Sequence, residues 1–439
     1  MNVELVQPFV PPLKKIAFIT LGCKVNQYET QIIRESFPAN LYENAQNNDE
    51  ADIFIVNTCT VTSRSDQKTR KIIRSLKKSY PKAFIVVTGC YAERAAQELQ
   101  DMPEVDLVIG NKEKQNIATQ VHSLFYPSSC FSLQTEKNFL HSSISKFHEH
   151  TRAFLKIQDG CEAFCSYCII PYVRGAVKSK PKNLVIEECQ KLIVQGVKEI
   201  VLVGIHLGQY GKENGESSLL PLLVELCALQ GDFRLRLTSI EVHEVTPLLV
   251  DFIASQPKMT PHLHIPLQSG DDNTLRRMNR KYSTKEFYDT CEMVRKKLPS
   301  PSITTDLIVG FPGESQEEFE NTALFCRNIG FSKIHVFPYA DRPGTVASKM
   351  QDKISEEAKK SRVEALLQIS QKSQIQYLET FLNKSVCVLV EQEEKEGIFS
   401  GLSEHYIRVH FPGNKEKIGQ FVSVKIIGRE NDYLKGILE

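Results

Sequence analysis

The sequence predicts a three-part protein that begins with an open parallel α/β domain, continues as a partial (β/α)6 barrel and ends as a small all-β, OB-like barrel. Strand-length apolar runs alternate with amphipathic helical patterns over most of the 439 residues, which is typical of parallel sheets covered by helices. A charged helical stretch at 352–383 ends this alternation, and five short strand-like runs follow it.

Three apolar, β-branched runs in the first part each end in a cysteine. They read KIAFITLGC, DIFIVNTC and AFIVVTGC, with helical patterns at 27–36 and 65–79 between them. The carboxyl ends of parallel strands meet at one edge of a sheet, where sites form. We therefore expect Cys23, Cys59 and Cys90 to lie together at that edge.

The second part contains six strand-like runs separated by helical patterns such as 186–195, 284–297 and 317–328. The runs are Ala153–Ile157, Glu199–Val203, Arg234–Ser239, His262–Pro266, Ile303–Val309 and Lys333–Phe337. Such units predict a parallel barrel whose chemistry lies at the carboxyl ends of the strands.

The third part is short and lacks helical periodicity. Its strand-like runs are Val386–Glu391, Gly397–Leu402, His405–His410, Phe421–Ile427 and Tyr433–Leu438. With turns between them, these runs predict a small β-barrel. We place the domains at residues 13–125, 147–375 and 376–439, with a linker at 126–146.

Composition narrows the class of protein. The net charge is +1, so a nucleic-acid partner must be argued from local patches. The amino-terminal stretch does not resemble a secretory signal, and no apolar run is long enough to span a membrane. We therefore expect a cytoplasmic protein, in which disulfides are disfavoured and the twelve cysteines serve metal binding, catalysis or packing.

Cys161, Cys165 and Cys168 form a C-x3-C-x2-C triad directly after the first barrel strand. Three thiolates can hold three irons of a 4Fe–4S cube and leave the fourth iron open. A zinc site normally has four protein ligands, and no fourth Cys or His follows at zinc-like spacing. Simple burial of three cysteines is the other alternative, and the sequence favours an open cluster.

The triad, with Tyr167 before its last cysteine, resembles the radical S-adenosylmethionine superfamily, in which the open iron binds S-adenosylmethionine. Three later segments resemble that superfamily's cofactor-contacting segments: VLVGIHLGQYG with Gly204, TSIE with Ser239 and Glu241, and DLIVGFPGE. Gln268, at a strand end, is a further candidate. The predicted cofactor contacts are therefore Tyr167, Gly204, Ser239, Glu241 and Gln268.

The stretches LGCKVNQYET, NTCTVTSRSDQKTR and VTGCYAE resemble the amino-terminal domain of the methylthiotransferase family, which ends in a small β-barrel called TRAM. This resemblance implies that Cys23, Cys59 and Cys90 hold a second 4Fe–4S cluster, which carries the sulfur to be transferred. Separate cysteines buried at helix–sheet contacts are the alternative.

The version TLGCKVNQYET resembles the subgroup that converts threonylcarbamoyl-adenosine at tRNA position 37, next to the anticodon, to its 2-methylthio derivative. The resemblance implies two clusters, S-adenosylmethionine, a reductant such as flavodoxin or ferredoxin, and a monomer. Prenyl-adenosine tRNA or a ribosomal protein is an alternative substrate. A non-catalytic iron–sulfur protein for RNA binding or electron transfer is the alternative from another class.

Two basic stretches are candidate contacts for the tRNA anticodon stem–loop, because lysine and arginine neutralise phosphates. The first is 63–82, with Arg64, Lys68, Arg70 and Arg74, and the second is RRMNRK, with Arg276 and Arg280. A solvated helix face is the alternative for each.

Other conspicuous residues are interpreted as structural. Alternation places His262 and His264 on one face of a strand, where interior hydrogen bonding is favoured over a metal role. Tyr406, His410 and Phe411 are possible RNA-stacking platforms, although strand packing is favoured. Packing is also expected for the remaining cysteines, which are Cys130, Cys189, Cys227, Cys291, Cys326 and Cys387.

Overall fold

The structure is a computed structural model that describes residues 13–45, 51–126, 140, 142–144, 151–215 and 219–439. The chain divides into two compact units, one ending at Ile144 and the other beginning at Ser145. Most of the predicted linker, including Cys130, lies outside the described residues. Within the described ranges, no helix is both long and apolar enough to cross a lipid bilayer.

The first unit alternates strands and helices. Its elements are β1 (Lys14–Thr20), α1 (Lys24–Glu35), β2 (Tyr42–Asn44), β3 (Ile53–Thr58), α2 (Ser63–Ser79), β4 (Phe84–Gly89), α3 (Cys90–Arg94), α4 (Ala96–Gln100), β5 (Leu107–Ile109) and α5 (Ile117–Phe125). The strands form one parallel sheet in the order β2-β1-β3-β4-β5. The predicted open parallel domain is confirmed, and the short edge strand β2 is an addition to it.

Helices cover both faces of this sheet. Alternate residues of β3 enter different cores: Phe54 packs with Ile73 of α2, whereas Ile55 packs with Ile33 of α1. All of these side chains are at most 1% exposed. Burial on both faces explains why β3 and β4 read as continuous apolar runs rather than as alternating ones.

The second unit begins with a β/α region. Its elements are β6 (Arg152–Lys156), β7 (Gln158–Asp159), α6 (Ile170–Arg174), β8 (Lys178–Ser179), α7 (Lys182–Val194), β9 (Glu199–Val203), α8 (Leu219–Ala228), β10 (Arg234–Leu237), α9 (Pro247–Ser255), β11 (His262–His264), α10 (Asp272–Arg277), α11 (Thr284–Lys297), β12 (Ser302–Val309), α12 (Gln316–Ile329), β13 (Lys333–Pro338) and α13 (Glu356–Glu379).

Six of these strands form the predicted partial barrel. They pair as two parallel sheets, β10-β9-β6 and β11-β12-β13. Isolated bridges between Leu235 and Met259 and between Ser239 and His264 connect the two sheets. Since β6 and β13 are the first and last strands, the barrel is open between them and encloses a lumen on its inner face.

The chain ends in a closed five-stranded barrel. Its strands are β14 (Ser385–Lys395), β15 (Ile398–Ser403), β16 (Arg408–Pro412), β17 (Phe421–Glu430) and β18 (Tyr433–Leu438). They close in the order β14-β15-β16-β18-β17. Val388, Phe399 and Phe411 fill the interior, so Phe411 is a packing residue, as expected.

A buried charge cluster attaches the small barrel to the amino ends of the β/α strands. Glu199 is fully buried and pairs with Arg234 at 2.6 Å and with Arg236 at 2.9 Å. Both arginines also donate to backbone carbonyls of the small barrel, among them Leu402 O at 2.8 Å and Ser403 O at 3.1 Å. Together these bonds fix the small barrel at the end opposite the carboxyl edge.

Tyr406 covers the lumen at this amino end. Its ring lies 4.8 Å from the ring of His262, measured between centroids. The Arg236 guanidinium lies 4.8 Å from the Tyr406 ring centroid. Tyr406 therefore packs against the β/α barrel, in agreement with the favoured packing interpretation.

Candidate active site

The three amino-terminal cysteines lie at the carboxyl ends of adjacent strands. Cys23 occupies the N-cap position of α1 shortly after β1, Cys59 follows β3, and Cys90 begins α3 after β4. Gly22 brings the first loop against Cys59, because a Cβ atom there would lie 2.9 Å from the Cys59 Sγ. The predicted common edge is therefore present in the fold.

Two asparagines connect the strand ends. Asn26 Nδ2 donates to Leu21 O at 2.8 Å and to Thr58 O at 3.0 Å. Asn57 Nδ2 donates to Asn26 O at 3.0 Å. These bonds join the loops that carry Cys23 and Cys59 into one rigid edge.

An arginine connects the loops of Cys59 and Cys90. Arg94 Nε donates to Thr60 Oγ1 at 2.8 Å, and its Nη2 donates to Asp66 Oδ2 at 2.9 Å. Thr60 also donates to Asp66 at 2.8 Å. Neither Arg94 nor the two asparagines were predicted from the sequence, although their positions within four residues of a cysteine were a usable signal.

The barrel triad lies in a loop held by the end of α10. Ser166 Oγ donates to Arg277 O at 2.8 Å, and Ser166 N donates to Met278 O at 3.0 Å. Asn279 Nδ2 donates to Phe164 O at 2.9 Å. Cys161, Cys165 and Cys168 are therefore presented from a braced backbone rather than from a loose loop.

Two basic side chains contact the triad sulfurs. Arg280 Nη1 donates to Cys165 Sγ at 3.2 Å and pairs with Glu241. The Nδ1 of His206 lies 3.6 Å from Cys161 Sγ, and its Nε2 lies 2.8 Å from Glu244. Burial opposes the charge on His206, but the hydrogen bonds with Cys161 and Glu244 raise its pKa to about 9.

The chemistry of the donor set fits an iron–sulfur cluster. Burial, together with the neighbouring Cys165, raises the pKa of Cys168 to about 12, and a bound cation would stabilise its thiolate. Each trio supplies three thiols, the number that holds three irons of a 4Fe–4S cube and leaves the fourth iron open.

The predicted cofactor contacts lie at the carboxyl ends of the barrel strands. Gly204 packs against Gln158, since a Cβ there would lie 2.8 Å from Gln158 Oε1. Glu241 reaches the triad through Arg280. Ser239 bridges to His264, and Gln268 has a φ of 66° while its N donates to Asp306 O at 2.8 Å.

Tyr167 lies in the triad loop and has apolar surroundings. It packs against an apolar cluster that contains Met278, Phe311 and Tyr339. Burial, together with the neighbouring Cys165, raises its pKa well above the ordinary value. The side chain therefore supports the triad loop, and a direct cofactor contact stays a prediction.

The six candidate RNA contacts differ in exposure and in ion pairing. On α2, Arg64 and Lys68 are exposed, and Arg74 is exposed with a 3.9 Å separation from Glu104. Arg70 is paired with Glu98 and bonded to Tyr91, so most of its charge is already neutralised. Arg276 is exposed in the second unit.

Arg280 is not the RNA contact that the sequence predicted. Its side chain is only 5% exposed and is bonded to Glu241 and Cys165. A phosphate cannot reach a guanidinium that is buried in this way. The basic run RRMNRK concealed the fact that its members face in different directions.

The remaining cysteines mostly pack as expected. Cys189, Cys227, Cys291 and Cys326 are buried. Cys387 is exposed, so the packing prediction was wrong there. His262 and His264 both bond Thr304 Oγ1, at 3.2 and 2.9 Å, which agrees with interior hydrogen bonding.

Three protein-family models match successive parts of the chain. Residues 15–110 match the uncharacterized protein family UPF0004, residues 155–326 match the radical SAM superfamily, and residues 379–438 match the TRAM domain. A solved structure of the radical S-adenosylmethionine methyltransferase TsrM from Kitasatospora setae shares the fold. Its TM-score is 0.53 at 11% identity, over 77% of each chain.

Curated relatives match over nearly the whole length. The threonylcarbamoyladenosine tRNA methylthiotransferase MtaB of Bacillus subtilis (strain 168) is 38% identical, over 96% of this chain and 95% of its own. The tRNA-2-methylthio-N(6)-dimethylallyladenosine synthase of Endomicrobium trichonymphae is 34% identical, over 93% of this chain and 96% of its own. This chain belongs to the radical S-adenosylmethionine tRNA methylthiotransferase family, whose radical chemistry uses S-adenosylmethionine and a 4Fe–4S cluster.

Proposed function

We propose that this protein attaches a methylthio group to carbon 2 of threonylcarbamoyl-adenosine at tRNA position 37, next to the anticodon. The observation that carries the proposal is the pair of cysteine trios, each at the carboxyl edge of its own parallel sheet. The 38% identity to the Bacillus subtilis relative supports the choice of the threonylcarbamoyl nucleoside.

The two trios have separate roles in this proposal. Cys161, Cys165 and Cys168 hold the cluster that serves S-adenosylmethionine, and Cys23, Cys59 and Cys90 hold a second 4Fe–4S cluster. When bound, the first group supplies the electron for cofactor cleavage, and the second supplies the sulfur for transfer. The chain's own residues provide the thiolates, hold their geometry and bind the tRNA.

Arg280 and His206 act on the triad thiolates. Hydrogen bonds to the sulfurs stabilise their negative charge and help to set the reduction potential of a cluster held there. Glu241 and Glu244 orient these two donors. The same carboxyl edge carries Ser239 and Gln268, which we propose as contacts for S-adenosylmethionine.

Basic side chains bind the phosphates of the tRNA in this proposal. Arg64, Lys68, Lys71 and Lys78 are exposed on α2 and recur at helical spacing, so they form one stripe. We call this stripe the α2 basic face. Arg74 adjoins it, and Arg276 provides a separate contact in the second unit. The proposal includes a cytoplasmic monomer and a reductant such as flavodoxin or ferredoxin.

The proposal is tested by mass spectrometry of nucleosides from tRNA of a strain that lacks the gene. We expect loss of 2-methylthio-threonylcarbamoyl-adenosine, with its precursor accumulating, and recovery when the gene is restored. Loss of the methylthio derivative of prenyl-adenosine instead would assign the enzyme to that substrate. Unchanged levels of both nucleosides would overturn the proposal.

A further inference from the structure

A cluster of polar side chains lies on adjacent strands of the barrel. His264 on β11, Asp306 on β12 and His335 on β13 each place one donor atom within 4.8 Å of the others. His264 Nε2 lies 3.3 Å from Asp306 Oδ2, and the two imidazole centroids are 6.0 Å apart. The roles proposed for the two cysteine trios do not involve this cluster.

The cluster faces the lumen. Its strand neighbours Leu263, Ile265 and Ile334 are at most 2% exposed, as expected beneath the outer helices. Because side chains alternate along a strand, His264 and His335 point to the opposite, inner face. Thr304, on the same face as Asp306, fixes the His264 ring through a 2.9 Å bond to Nδ1.

An exposed aromatic residue adjoins the cluster. Phe337 follows His335 by two residues on β13, so it shares the inner face. It is 43% exposed, which is high for a phenylalanine. An exposed aromatic ring beside convergent polar groups is typical of a site that stacks a base and reads its substituents.

The lumen is covered at its amino end, and solvent reaches its polar cluster, since the Asp306 side chain is 31% exposed. Tyr406 and the bonds of Arg234 and Arg236 close the amino end. The cysteine triad lies at the other end, after β6. A nucleoside that enters beside the triad can therefore extend a substituent down to the polar cluster.

We propose that His264, Asp306 and His335 form the subsite for the threonylcarbamoyl group of the target adenosine, with Phe337 stacking on its base. The assignment rests on the proposed function. His335 donates a hydrogen bond to the carboxylate of the group, and Asp306, which lies 3.3 Å from His264 Nε2, accepts from the hydroxyl or ureido N–H of the group. An apolar prenyl group would make no hydrogen bond with Asp306 or His335, which is an effective basis for discrimination.

Binding to synthetic anticodon stem–loops tests the subsite without radical chemistry. The three probes carry threonylcarbamoyl-adenosine, prenyl-adenosine or unmodified adenosine, and affinity is measured by fluorescence anisotropy without reductant. We expect wild type to prefer the threonylcarbamoyl loop by about tenfold, the effect of about one net hydrogen bond. D306N and H335F should remove the preference and leave binding of the unmodified loop unchanged.

H262Q is the matched control. His262 lies on the same strand and bonds the same Thr304 hydroxyl, but it belongs to the covered end, so the preference should survive. F337A should weaken all three loops by about tenfold, because stacking does not depend on the N6 substituent. Wild-type iron content after reconstitution shows that each variant is folded.

The outcomes separate the two proposals. A wild-type preference that persists in both D306N and H335F would overturn the subsite and leave the proposed function standing. A wild-type preference for the prenyl loop would overturn the choice of substrate instead. Unchanged binding by F337A would exclude the stacking contact.

Discussion

Arg280 donates a hydrogen bond from Nη1 to the Sγ of Cys165 at 3.2 Å. Its Nη2 pairs with Glu241, so a single guanidinium joins the triad to the end of the third barrel strand. Burial leaves this side chain no role at the surface. The bond therefore links the protein's electrostatics directly to the sulfur ligands of the proposed radical-generating cluster.

Removing this donor should slow radical formation. We expect R280M to lower the rate of 5′-deoxyadenosine formation by about 10–100-fold, the usual effect of removing a partner of a metal ligand. R280K should recover part of the rate. R327M changes an exposed arginine of α12 and should behave as wild type, and an R280M rate equal to that control would contradict the assignment.

The link between the loops of Cys59 and Cys90 makes a different prediction. Arg94 ties Thr60 to Asp66, so R94M should loosen the amino-terminal cysteine edge. Iron content after reconstitution should fall toward that of one cluster, while 5′-deoxyadenosine formation persists. K112M, at a lysine that is 86% exposed, is the control. Full iron content in R94M would show that the edge does not need this link.

The α2 basic face should determine how tRNA binding depends on salt. We expect the K68A/K71A double variant to bind more weakly and to lower the slope of log affinity against log salt by about 0.7–0.9 for each phosphate that is no longer neutralised. Lys77 is bonded to Ala83 O and Asp106, so K77A should keep the wild-type slope. Equal slopes in all three proteins would exclude this face as a tRNA-binding surface.

His405 should make the second unit less stable in acid. Burial, together with the positive charge of Arg236, lowers its pKa to about 4, although a backbone hydrogen bond with Ser300 opposes the shift. The unfolded chain takes up the proton near pH 6.5, so stability falls as the pH drops from 6.5 toward 4. Between pH 7 and pH 5 this amounts to roughly 2 kcal/mol.

Urea unfolding of wild type and H405F at pH 7 and pH 5 measures this contribution. The change in the free energy of unfolding between the two pH values is compared for the two proteins, so the effects of other titrating groups cancel. The phenyl ring keeps the packing against Phe381, whose centroid lies 4.8 Å away. H243Q, at a histidine that is 54% exposed, should keep the wild-type pH dependence. If H405F lost as much stability between pH 7 and pH 5 as wild type does, His405 would not be the source of the loss.

The strand-end chemistry could be predicted from the sequence because it follows from periodicity. A parallel strand buried on both faces gives a continuous apolar run. The residue that follows this run lies at the carboxyl edge of the sheet. Cys23, Cys59 and Cys90 therefore map to one edge from the sequence alone. Three-residue elements such as β2 carry too few side chains for such a pattern.

Side-chain direction was the part that the sequence could not supply. Arg276 and Arg280 lie in one basic run, yet the first is exposed and the second is buried against a sulfur. Arg70 and Lys68 lie on one helix, yet Arg70 pairs with Glu98 of another element while Lys68 is exposed. Such differences depend on neighbours that are distant in sequence.

The most direct test of the division between the two trios measures two products in one reaction. C161A and C23A are each reconstituted and incubated with S-adenosylmethionine, reductant and a threonylcarbamoyl-adenosine stem–loop. We expect C161A to form neither 5′-deoxyadenosine nor the methylthio nucleoside, and C23A to form 5′-deoxyadenosine alone. Full methylthiolation by C23A would contradict the division of roles between the trios.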